Sequence, residues 1–155
     1  MRQNIGLILI SALIWLIPGC GGEQPASGPA AGDAPTLRRS QAAPGSKVFI
    51  ISPKNGETVS SPVKVKFGVS GIAVEPAGAV RNNAGHHHLI VDMGLKDLTL
   101  PIPTDEHHLH FGKGQTEASV KLPPGQHTLQ LVLADGIHIP HNPPVMSSLV
   151  VITVK

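Results

Sequence analysis

Between residues 63 and 70 the chain alternates strictly: Val63, Val65, Phe67 and Val69 interleave with Lys64, Lys66, Gly68 and Ser70. Successive side chains of an extended strand point to opposite faces, so this pattern sets one apolar face against a core and the other toward water. The same period of two recurs. His87, Leu89 and Val91 alternate with His86, His88, Ile90 and Asp92, and Ala118, Val120 and Leu122 alternate with Glu117, Ser119 and Lys121. Val48-Phe49-Ile50-Ile51, the stretch 127–133 and the set Val150, Ile152 and Val154 read as further short strands. Asn55-Gly56 and Pro123-Pro124-Gly125 supply turns. No window carries an apolar stripe at helical spacing, and 15 prolines across the chain oppose long helices. The expectation is an all-β chain: an immunoglobulin-like β-sandwich of about seven strands, following a signal peptide and a disordered tether. His127, in phase with Leu129, Leu131 and Leu133, should start on the core face and bond back to the preceding loop. The connections 71–85 and 94–116 are long, and loops of that length in a compact domain usually carry function.

The first residues are of another kind. Met1-Arg2-Gln3-Asn4 precedes an apolar run from Ile5 to Ile17, interrupted only by Gly6 and Ser11. As a helix, 13 residues span roughly 20 Å, short of the roughly 30 Å hydrocarbon core, so the run reads as a secretion signal. It ends Ile17-Pro18-Gly19-Cys20, which resembles the bacterial lipobox, although Pro18 is less usual there. That resemblance implies cleavage after Gly19 and acylation of Cys20, with two or more acyl chains giving a stable anchor. Cys20 is the only cysteine, so it has no disulfide partner within the chain. Residues 1–19 are expected to be the signal peptide. Residues 20–46, rich in Gly, Pro, Ala and Ser, are the lipidated cysteine and a flexible tether. Residues 47–155 form one domain. The expected location is the periplasmic face of a membrane, the outer one in a two-membrane envelope, because Gly21 stands where an inner-membrane retention aspartate would be.

All nine histidines lie between 86 and 141, in the groups His86-His87-His88, His107-His108-x-His110, His127 and His138-x-x-His141. Residues i and i+2 of a strand share a face, with Cβ atoms roughly 7 Å apart. His86 with His88, and His108 with His110, are therefore the candidate metal ligands. His87, His107, Asp92, His138 and His141 are additional ligands or outer partners. Asp105 and Glu106 could orient an imidazole, and Met93 and Met146 are isolated methionines that more often fill cores. Neutral imidazoles without thiolate suit copper(II), zinc(II) or nickel(II), and the expected ion is copper or zinc. The competing reading makes the imidazoles hydrogen-bonding struts between two long loops. His127, and His87 beside Leu89 and Val91, fit that role. A third reading is a pH-sensitive surface.

Several blocks resemble a known family. They are the opening Val48–Gly56 segment, Gly85-His86-His87-His88-Leu89-Ile90-Val91-Asp92, the stretch from Asp105-Glu106-His107-His108-Leu109-His110 to Glu117, Leu122–Leu131, and His138-Ile139-Pro140-His141-Asn142-Pro143-Pro144-Val145. The chain is similar over 47–155 to the family catalogued as a domain of unknown function, number 4399. That likeness implies no activity and no assigned active site.

A net charge of +2 and scarce aromatics, with three Phe and no Tyr, argue against a nucleic-acid surface. The sequence lacks a nucleophile elbow, a His-Glu-x-x-His helix, a phosphate loop and a dinucleotide fingerprint, so no enzyme is expected. Gly112-Lys113-Gly114-Gln115-Thr116 lacks the order of a P-loop and reads as a tight loop. The expected function is a membrane-anchored, non-catalytic metal binder. Its partners would be the lipid membrane through Cys20 and an envelope protein. The alternative is a structural or protein-interaction module without metal.

Overall fold

The computed structural model describes residues 38–155. The expected signal peptide, Cys20 and most of the tether lie outside the described residues. The domain is a β-sandwich, with ten strands in two sheets and no helix among the described residues.

The smaller sheet joins β1 (Lys47–Ser52), β3 (Val63–Ser70) and β7 (Glu117–Val120), with β3 in the middle. Its register sets Ile50 opposite Phe67 and Val63 opposite Val120, so the apolar side chains of the alternating pattern gather on one face. The larger sheet runs β2 (Thr58–Val59), β10 (Val150–Val154), β8 (Gly125–Ala134), β5 (Ala84–Val91) and β4 (Ala73–Val74). It also carries β6 (His108–Phe111) on β5 and β9 (Pro140–Met146) on β8. Leu89, Val91, Leu129, Leu131, Leu133 and Ile152 meet Val48, Val63, Val65 and Phe67 between the sheets. Each fully buried leucine contributes about 1.5–3 kcal/mol.

Ten strands replace the expected seven because several are too short or too irregular to show periodicity. β2 and β4 have two residues each. β6 lies inside the long connection 94–116, and β9 is the proline-rich stretch 140–146. Proline cannot donate to a ladder, so it is tolerated at an edge such as β9 occupies.

All eight residues of β5 are buried. One face of the strand meets the sandwich core. The other is covered by residues 92–107, where Ile102 and Leu95 pack with Ile90, Val132 and Ala134 in a second apolar cluster. The outward-facing side chains of β5 are buried as well, and these include His86 and His88.

The described part of the expected tether is laid against the sandwich. Asn83 N donates to Gln41 O at 2.6 Å, Asn142 N donates to Ser40 O at 2.9 Å, and Ala42 is buried. Composition did not show this docking because it rests on backbone hydrogen bonds rather than on large apolar side chains.

Candidate metal centre

The β5–β6 register puts His88 directly opposite His110, and His86 lies two residues along β5 on the same face. Two antiparallel strands therefore present three imidazoles on one face. His138 enters from the turn between β8 and β9, with φ at 69°. A side chain in that left-handed region is uncommon and is kept there by its surroundings. One ring nitrogen from each of His86, His88, His110 and His138 lies within 4.8 Å of the others.

The distances inside the cluster are short. His86 Nε2 is 3.0 Å from His88 Nε2 and 3.1 Å from His138 Nδ1. A neutral imidazole nitrogen carries one N–H or one lone pair, so a single proton on His86 Nε2 cannot serve both neighbours well. An ion about 2 Å from each nitrogen would set neighbouring nitrogens roughly 3.3 Å apart in a tetrahedron. Those two of the six pairs sit close to that spacing, and all six lie within 4.8 Å.

Burial is the main electrostatic influence. It pushes the His86 imidazole down to about 4, helped by His138 and His110 and opposed by Asp135. It pushes His88 down to about 2, with His86, His110 and His138 adding repulsion. His110 is lowered by burial and then by His138. These three rings are neutral at neutral pH and keep the lone pairs that a metal requires. The outer Nδ1 atoms of His86 and His88 are buried without a partner. They lack the outer hydrogen bond that usually orients a ligating imidazole.

Comparison with known proteins gives one relationship: the sequence profile described as Domain of unknown function (DUF4399) matches residues 65–155. The chain belongs to this family. The matched span of the DUF4399 domain includes all four cluster histidines. No curated protein and no solved structure matches the chain.

The other candidate residues of the DUF4399 domain sit elsewhere. His108, expected to pair with His110, shares its face but lies one strand repeat away, opposite Ile90. Its Nδ1 is 2.8 Å from Asp105 Oδ1, beside a largely apolar cavity of about 340 Å³. His138 takes the fourth place instead. His87 points to the opposite face, packs on Phe67 with ring centroids 5.0 Å apart, and bonds Gln115 O through Nδ1 at 2.9 Å. His107 reaches Val91 O at 3.0 Å and stays partly exposed. His141 spans β8 and β5, with Nδ1 3.2 Å from Leu133 O and Nε2 3.0 Å from Ala84 O.

Asp92 pairs with His127, Oδ2 to Nδ1 at 2.6 Å, and accepts from Thr128 N at 2.7 Å. His127 Nε2 is 2.9 Å from Pro123 O, the bond back to the preceding loop. The pair raises the His127 imidazole through the Asp92 carboxylate. Burial pushes the Asp92 carboxyl up, but the His127 and Thr128 hydrogen bonds outweigh it, and the net shift is downward. Met146 packs on the second apolar cluster and Met93 is exposed.

Two further residues shape the surroundings of the cluster. A Cβ added at Gly112 would stand 2.4 Å from His110 Nε2, so only glycine leaves that ring its room. Asp135 is fully buried and closes the turn that carries His138. The Asp135-Gly136 turn signal just before His138 marks that turn in the sequence.

Proposed function

We propose that this DUF4399 domain is a non-catalytic metal-binding module of the cell envelope, holding copper or zinc between His86, His88, His110 and His138 and anchored through acylated Cys20. The observation that carries the reading is the convergence of four imidazole nitrogens within 4.8 Å of one another. His86 Nε2 is crowded by two neighbouring ring nitrogens, an arrangement that one shared proton satisfies poorly and one cation satisfies well. The donor set contains no thiolate or carboxylate, which favours copper(II) and zinc(II) over harder ions. Anchoring in the envelope follows from the lipobox-like Ile17-Pro18-Gly19-Cys20 and the apolar run before it.

The decisive experiment is titration of the protein, purified without an affinity tag, with copper(II) or zinc(II). Uptake of one equivalent, abolished in a His88→Ala, His110→Ala pair, is the expected result. Wild-type protein that takes up neither ion sinks the reading.

A structural role for the histidines is the second reading. It is favoured by His107, His127 and His141, each of which contacts a backbone carbonyl and ties segments together. Under that reading the four-histidine cluster would bind no ion, and the same titration separates the two.

A further inference from the structure

Asp135 is an acidic side chain in the interior that no basic side chain among the described residues pairs with. Its carboxylate is fully buried. A buried charge is costly unless it is paired or richly hydrogen-bonded. Its hydrogen bonds all come from two places. Oδ1 accepts from Ile137 N and Ile139 N, both at 3.1 Å. Oδ2 accepts from Ser40 Oγ at 2.9 Å and Ser40 N at 3.4 Å. The backbone of Asp135 closes the same turn, through His138 N to Asp135 O at 2.9 Å and Asp135 N to Ile139 O at 3.0 Å. His138 stands inside this ring of bonds, and its own carbonyl accepts from Ile102 N at 2.8 Å.

Ser40 belongs to the strap of residues 39–43 that leads toward the N-terminus. The strap is fixed at neighbouring points. Arg39 donates through Nε to Pro140 O at 2.9 Å and through Nη2 to His141 O, and Gln41 bridges Asn142.

We propose that Asp135 is the positioning residue of the metal centre: it fixes the turn that presents His138, offsets the charge of a bound cation, and is itself held by Ser40. This rests on the metal-binding reading. Four imidazole ligands bring no negative charge to a divalent ion, and Asp135, three residues before His138, is the one buried acidic side chain among the described residues. Because Ser40 and the His138 turn share that carboxylate, strap docking and metal loading stabilise each other by the same factor. A loaded site therefore reports to the chain segment that precedes the domain.

The test uses the full-length protein with zinc(II) alone as probe, and compares wild type with Asp135→Asn and Ser40→Ala. Asp135→Asn keeps the shape and removes the charge. The expected loss of zinc affinity is about 10–100-fold, the range typical of outer partners, with a smaller loss in Ser40→Ala. Trypsin cleavage after Arg39 supplies a second readout, expected to slow when zinc is added to wild type and to be indifferent to zinc in both variants. A folded Asp135→Asn that binds zinc like wild type overturns the proposal, as does wild-type cleavage at Arg39 that ignores bound zinc. If Asp135→Asn does not fold, Ser40→Ala decides, and unchanged affinity and protection in it overturn the proposal. Wild type that binds neither zinc nor copper removes the metal-binding reading itself, and this inference falls with it.

Discussion

His88 faces His110 across the β5–β6 ladder, so the two imidazoles are brought together by strand register and not by loop conformation. Loss of either ring is expected to cut metal affinity by more than the roughly 10–100-fold typical of an outer partner. His108→Ala should leave affinity within about threefold of wild type, a spread small enough to ignore against that range. Isothermal titration of the three single variants checks the ranking, and a His108→Ala loss as large as that of His110→Ala would reassign the fourth ligand.

Gly112 gives the cluster its clearance. In Gly112→Ala the new methyl would sit 2.4 Å from the His110 ring, which must swing away. Crowding of this kind costs about 1–3 kcal/mol, here expected mostly in metal binding rather than in folding. Parallel melts and titrations distinguish the two. Unchanged affinity would mean that the ring moves without consequence.

Acid should weaken the metal-free fold. The His86 and His88 imidazoles are lowered to about 4 and about 2, below their ordinary 6.5. Once the pH falls below 6.5 the unfolded chain binds protons that the folded one refuses, so stability drops progressively from there toward pH 4. Melting temperatures in chelator between pH 7.5 and pH 4.5 measure the slope. His86→Gln with His88→Gln should flatten it, and an unchanged slope counts against buried neutral imidazoles.

The Asp92–His127 pair has its own pH signature. His127 is raised, so its contribution is full below 6.5 and is lost as pH rises through its folded value. Asp92 is lowered, so its contribution holds above 3.8 and fades as pH falls through its folded value. Asp92→Asn tolerates the left-handed backbone there, φ 58°, and removes the charge. It should cost about 1–2 kcal/mol near pH 6 and visibly less at pH 9, measured by urea denaturation.

A ligand present at about 100 times its Kd adds about 2.7 kcal/mol to folding. For a domain of this size that is a rise of roughly 10 °C in melting temperature. Zinc or copper in slight excess over such a concentration should produce it in wild type and not in the His88→Ala, His110→Ala pair.

The parts of the fold that were readable from sequence are those in which period two survives. β3 shows it without interruption, and its apolar residues lie between the sheets as the alternation requires. The triple histidine on β5 was readable in the same way, with His86 and His88 on one side and His87 on the other. His108 falls outside the four-ring cluster because of its distance along the strand. Facing alone could not separate His108 from His110, because both point to the same side, and only the register with β5 shows which lies beside His88. His138 was visible as a residue but not as a neighbour, since its position depends on a turn returning over the sheet. Asp135 is not marked by periodicity because its carboxylate bonds a turn and the Ser40 strap, contacts that leave no periodic trace.

Three imidazoles set by strand ladders and one set by a turn make an uneven cluster. The ladders of β5 and β6 open only with the sheet, whereas the turn at His138 is held by a handful of hydrogen bonds. An ion in such a cluster would come and go by the turn alone, with three imidazoles standing ready throughout. Its residence time would then be governed by how often that turn lifts, and a partner that pulled on the N-terminal strap could shorten it without disturbing the sandwich.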